Sequence, residues 1–234
     1  MWKSLTRTMA ISLAALIITA ASISTGKASE KRPGTTADPA ALEAILKGIE
    51  ECYLGTGFSA RFNQTSTLAA MDITDTATGR IFVKHPNRMR WEYEEPEKQI
   101  ILTDGKTLWI HRPLDNQVMR GKAPPYLGGG QGGSFLSDIR TLRDQFHVSL
   151  ESSKPGLPAV LKLIPKKPVT ELADLLISVD PETFRITLIS TRNIYKDETR
   201  IVLSEYRFDL KLDDSLFNME IPKSTEVFEL EGER

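Results

Sequence analysis

Several groupings of residues in this 234-residue chain have side chains of the types that chemistry uses. Gly128-Gly129-Gly130-Gln131-Gly132-Gly133 contains the letters G-x-G-x-x-G, which bring backbone amides to a pyrophosphate when a parallel strand leads into them. Here Ala123-Pro124-Pro125-Tyr126 leads in, so the surroundings do not fit a nucleotide. His85, His111 and His147 lack metal-ligand spacing, and Cys52 is the only cysteine, so neither metal nor cofactor is expected. Cys52 itself reads as a small buried hydrophobe at a helix end rather than a reactive thiol. Ser134 stands in Gly-Gly-Ser-Phe-Leu, without the glycine two residues later that a nucleophile elbow requires. Glu92, Glu94, Glu95 and Glu97 supply carboxylates, but they read as a solvated strand face running into a turn. Asn63-Gln64-Thr65 spells a glycosylation acceptor and decides nothing on a strand. No nucleophile and base converge, and no enzyme is expected.

The remaining candidates are apolar, and their spacing shows what positions them. Ile81 and Val83 share one side of a strand interrupted at Pro86-Asn87. Met89, Trp91 and Tyr93 share one side of the next strand, with Arg88, Arg90 and Glu92 opposite. Glu94-Glu95-Pro96 ends that strand, because proline has no amide for the ladder. Ile100–Thr103 begins another, Asp104-Gly105 supplies a tight turn, Leu108 and Ile110 share a face, and Pro113–Asn116 turns again. The stretch from Gly79 to Val118 is therefore a β-meander with one apolar face.

Ahead of it, Asp38 caps a helix with Pro39 at its first position, and Leu42, Ile45, Leu46 and Ile49 recur at helical spacing until Gly55 and Gly57. A strand from Phe58 to Ala70 carries Phe58, Ala60 and Phe62 on one face. After the meander, residues 121–134 read as a flexible glycine-rich connection. Ser134–Phe146 reads as an amphipathic helix with Phe135, Leu136, Ile139, Leu142 and Phe146 on one side. Strands are expected at 159–165, 174–179, 185–191, 199–210 and 216–221, with a turn at Asp180–Thr183. One long antiparallel sheet with two amphipathic helices can surround an apolar ligand, or it can simply close on a core.

The N-terminus is separate. Lys3 and Arg7 precede an apolar run from Met9 to Ile18 and then small residues, the plan of a secretory signal. The run is too short for a membrane span of about 20 residues. Cleavage after Ala28 is expected, with residues 29–38 as a mobile lead and 29–234 as a single domain. Loss of Lys3, Arg7 and Lys27 takes the net charge from −1 to −4, which argues against nucleic acid as a partner. No cysteine stands where a lipid anchor would attach.

At these residues the chain resembles the periplasmic outer-membrane lipoprotein carrier (LolA) family. The likeness lies in Phe62-x-Gln64, in Gly79 to Trp91 as G-x-I-x-V-K-x-P-x-x-M-x-W, and in Pro96, Asp104-Gly105-Lys106-Thr107-Leu108-Trp109, Pro113, Gln117 and Pro222. The resemblance implies an α+β fold: an incomplete antiparallel β-barrel, a curved sheet with an α-helical lid over an apolar cavity. It implies a monomeric periplasmic carrier that takes acylated lipoproteins from an inner-membrane lipoprotein-releasing transporter to an outer-membrane acceptor. Phe62, Ile81, Val83, Met89, Trp91, Leu108 and Ile110 would line the sheet side of the acyl cavity, and Leu136, Ile139 and Leu142 the lid side. Met89 stands where the family often has an aromatic. His85 stands where the family typically has an arginine that bonds to the lid, and histidine can still donate there with a charge that varies near neutrality. Two alternatives stay open: a lipid-sensing envelope regulatory module, and a carrier of another envelope lipid.

Overall fold

In a computed structural model, residues 39–55, 57–123, 134–168 and 170–230 are described, all within the unit Thr36–Arg234. The expected leader 1–28, the lead 29–38 with its cap Asp38, and Gly128–Gly133 lie outside the described residues.

Helix α1 (Pro39–Tyr53) is followed by β1 (Phe58–Leu68), β2 (Ile73–Lys84), β3 (Arg88–Glu95), β4 (Gln99–Thr103), β5 (Thr107–Arg112) and β6 (Gln117–Lys122). These six strands form the expected meander, each antiparallel to the next. The turn residues account for its corners. Asp104 accepts the amides of Lys106 and Thr107, Gly105 holds φ 91°, and Asn116 takes φ 53° after Pro113.

A 3₁₀ turn (Ser134–Ser137) and a short helix α2 (Thr141–Gln145) lead into β7 (Phe146–Ser152), β8 (Ala159–Pro165), β9 (Asp174–Val179), β10 (Ile186–Arg192) and β11 (Glu198–Phe208). A second 3₁₀ turn (Asp214–Phe217) precedes β12 (Glu226–Glu229). All twelve strands form one sheet in the order β12-β6-β5-β4-β3-β2-β1-β11-β10-β9-β8-β7. The order is linear, with β12 and β7 at its two ends, so the sheet is open, and among the described residues only the β12–β6 pair is parallel.

Three expectations are corrected. Ser134–Phe146 is not one helix: the carbonyl of Ser137 accepts the Asn87 amide at 3.0 Å, and His85 Nδ1 lies 2.9 Å from it, so it is taken by the β2–β3 turn. Asp138 then restarts the chain, its carbonyl accepting the amide and hydroxyl of Thr141. Phe146, assigned by spacing to the helix, instead opens β7. Residues 216–221 form no strand, because Asp213 caps a 3₁₀ turn through the Ser215 amide, while Lys84 and Arg90 hold the carbonyls of Leu212 and Leu216.

One buried apolar cluster collects inward side chains from both halves of the sheet, from α1 and from the 134–146 segment. Alternation along β8 and β9 puts Leu161, Leu163, Leu175 and Ile177 inside. Helix α1 is fastened over β10 and β11 by a closed ring of hydrogen bonds. Tyr53 donates to Tyr206, Tyr206 to the Ile186 carbonyl, and the Ile186 amide to Tyr53. Gly48 leaves room for Phe184, whose ring would lie 2.3 Å from a Cβ there. On the sheet's other side, Arg61 and Arg80 pair with Glu94, and Arg90 with Glu92, so these carboxylates sit in an ion-paired strand face.

Candidate functional site

Strands β2 and β3 set the register of the apolar stripe: Ile81 faces Trp91, Val83 faces Met89, and Trp91 faces Ile101 on β4. The register shifts between Thr78 and Gly79, where a Cβ on Gly79 would meet the Glu92 carbonyl at 2.0 Å and the Phe62 ring at 2.8 Å. Glycine here lets β3 and the Phe62 ring come close together. The Phe62 ring then meets Trp91 and Tyr93 edge-on, with both centroid distances 4.9 Å. Tyr93 donates to Gln64 at 3.0 Å, which explains why Phe62-x-Gln64 and the Met89-Trp91-Tyr93 stripe belong together. Burial pushes the Tyr93 hydroxyl well above its ordinary value.

All ten apolar residues singled out by sequence fall in or against this one cluster. Phe62, Ile81, Val83, Met89, Trp91, Leu108, Leu136, Ile139 and Leu142 are buried, and Ile110 packs against them half-buried. Sequence reasoning missed the second wall, formed by β8–β11, although the alternation of Leu161 with Leu163 and of Leu175 with Ile177 carried the signal.

The cover over β2 and β3 is the 3₁₀ turn Ser134–Ser137, continued by α2 against β7. Two of its fastenings reach the β2–β3 turn and α1. At one, the Ser137 carbonyl meets the Asn87 amide and His85 Nδ1. At the other, Arg143 reaches Glu50 at 2.6 Å and Glu43 at 2.8 Å on α1. Burial is the largest influence on His85 and lowers its pKa below 6.5, with Arg140 acting the same way against the Ser137 bond and Asp138. The favoured neutral ring donates from Nδ1, leaving Nε2 as an acceptor. His111 on β5 and His147 on β7 stand away from this contact, and no group of three or more metal-ligating side chains gathers among the described residues. Cys52 is half-buried on α1, and desolvation raises its thiol pKa, the opposite of an activated cysteine.

Two polar side-chain atoms among the described residues are buried with no hydrogen-bond partner: Nε1 of Trp91 and Nε2 of His85. Both belong to strands or turns beneath the same cover. Among the described residues, no helix is long and apolar enough to cross a membrane.

Residues 55–220 match the family described as outer membrane lipoprotein carrier protein LolA. The chain belongs to the LolA family. An outer-membrane lipoprotein carrier protein of Chromobacterium violaceum is 29% identical over 211 residues, spanning 90% of this chain and 95% of that one. Another, of Hahella chejuensis, is 24% identical over 188 residues, spanning 80% and 86%. Among solved structures, an uncharacterised conserved protein from Thermus thermophilus shares the fold, with a TM-score of 0.53, 15% identity and coverage of 81% of this chain and 99% of that one. The matched residues run from before β1 through β11 to beyond the second 3₁₀ turn, so both halves of the sheet belong to the family, and Gly79, Phe62 and Trp91 pack together within the first half.

Proposed function

We propose that this LolA-family chain is an outer-membrane lipoprotein carrier. After loss of a leader at residues 1–28, the remaining domain works in the periplasm. It takes acylated lipoproteins from an inner-membrane lipoprotein-releasing transporter and passes them to an outer-membrane acceptor. Phe62, Ile81, Val83, Met89, Trp91, Leu108 and Ile110 would face the acyl chains from the sheet, and the segment bearing Leu136, Ile139 and Leu142 would give way to admit them. His85 would hold that segment shut when no cargo is bound. The job is binding and release, with no covalent step.

The observation that carries this reading is the manner of closure. A largely apolar interior is covered, over β2 and β3, by a short broken segment held at the Ser137 carbonyl and through Arg143. An acyl chain gains about 0.8 kcal/mol for each CH₂ it buries, enough to replace such a cover, while the cover's own apolar side chains offset the gain and keep transfer reversible.

The test is release of lipoprotein from membrane vesicles that contain the transporter. With the purified chain added, lipoprotein should move into the soluble fraction and on to vesicles bearing the acceptor. No release sinks the carrier role, and lipid binding without hand-over points to a lipid-sensing module instead.

A further inference from the structure

Among the described residues, the interior contains one polar donor that its packing does not explain. Trp91 is 1% exposed, and its indole N–H is a donor only, so leaving it unmet destabilises the closed state. Its cross-strand partners are Ile81 and Ile101, and the nearest ring is Phe62, none of which offers an oxygen acceptor from its side chain. The other aromatic donors around the interior are met: Tyr93 by Gln64, Tyr53 by Tyr206 and Tyr206 by the Ile186 carbonyl. A phenylalanine would fill most of the same space without the penalty, so the N–H is a cost borne by the closed state.

We infer that the Trp91 indole N–H donates a hydrogen bond to the carbonyl oxygen of a bound ester- or amide-linked acyl chain, making Trp91 the residue that separates acyl from alkyl lipids. The inference rests on the carrier reading. A saturated chain brings one kind of acceptor into an apolar site, the carbonyl at its head, and that oxygen loses its water on entry. The buried donor and the incoming acceptor each relieve the other's penalty. An ether-linked chain of equal length brings the same methylenes and no carbonyl, only the weaker ether acceptor, so it meets Trp91 less well.

The test is displacement of a fluorescent fatty-acid probe from the purified chain by dipalmitoylglycerol and by its dihexadecyl ether analogue. The unaltered protein should hold the diester about tenfold more tightly, a difference of about 1.4 kcal/mol. Trp91→Phe should remove that gap, whatever change in affinity the two lipids then share. In the unaltered protein, the indole N–H resonance of Trp91 should move downfield with diester and not with diether, a readout that stands even if the variant does not fold. Equal affinity for the two lipids, or a gap that survives Trp91→Phe, overturns the inference and leaves the carrier reading intact. Failure of both lipids to bind overturns the carrier reading and this inference with it.

Discussion

The two halves of the sheet bury apolar side chains in the same cluster, yet they are closed in different ways. Over β10 and β11, helix α1 is held by a ring of three mutually satisfied groups, and the strands beneath it contribute aliphatic Ile186, Ile189, Ile201 and Leu203. Over β2 and β3, the cover is broken at Ser137, the interior contains Phe62, Met89 and Trp91, and two buried polar atoms are unmet. Equal hydrophobic patterning therefore does not mean equal permanence. The cover of the β7–β11 half is held by mutually satisfied groups, and on the proposed carrier reading the β1–β6 half is the one whose cover would be exchanged.

The largest expected effect tests how tightly the β1–β6 half is built. Gly79→Val should cost about 3 kcal/mol in urea unfolding, because the new Cβ would fall 2.0 Å from the Glu92 carbonyl. An unchanged midpoint would mean that β2 and β3 do not meet as closely as described. Next, Tyr53→Phe should cost about 2 kcal/mol by stranding the buried Ile186 amide, while leaving acyl-probe affinity as it was. A matching loss of affinity would erase the distinction between the halves.

Arg143→Ala should cost less than about 1 kcal/mol, since its pairs with Glu43 and Glu50 are partly exposed, but it should loosen the cover. Spin labels on α1 and α2 should report longer distances, and added salt should mimic the change in the unaltered protein. Identical distances would remove Arg143 as a fastening. The smallest effect is that of pH. Because burial holds His85 below its unfolded value of 6.5, the neutral ring's contribution to closure is complete above 6.5 and fades as pH falls from there to the lower folded value. Protonation would add an Nε2–H where no acceptor is found, with Asp138 attracting and Arg140 opposing the new charge. The spin-label distances should lengthen on acidification, and His85→Leu should flatten that response. A response unchanged in His85→Leu would assign it to another group.

The meander was legible because alternation and turn chemistry agree there: Met89, Trp91 and Tyr93 alternate with charges, and Asp104-Gly105 and Pro113–Asn116 mark the corners. The candidate residues were legible for the same reason, as positions on one face. Alternation could not tell that Ser137 would give its carbonyl to a turn fifty residues earlier, and that loss is what divides the expected lid helix. β7 escaped because Phe146 also fits the helical spacing of Leu142. β12 escaped because all four of its residues are exposed at an edge and leave no burial pattern. The unmet N–H of Trp91 has no sequence signature, since it depends on what every neighbour fails to offer.

The placement of β1 has a further consequence, for assembly. One edge of β1 pairs with β2, the next strand made, but the other waits for β11, as in Phe62 opposite Leu203. Six strands can zip locally while the central seam stays open until nearly the whole chain exists. During that interval the bare edge of β1, with Phe58 and Phe62 on it, invites pairing with another copy. Mutations that slow the arrival of β11 should therefore lower yield through aggregation even where the finished fold is unharmed.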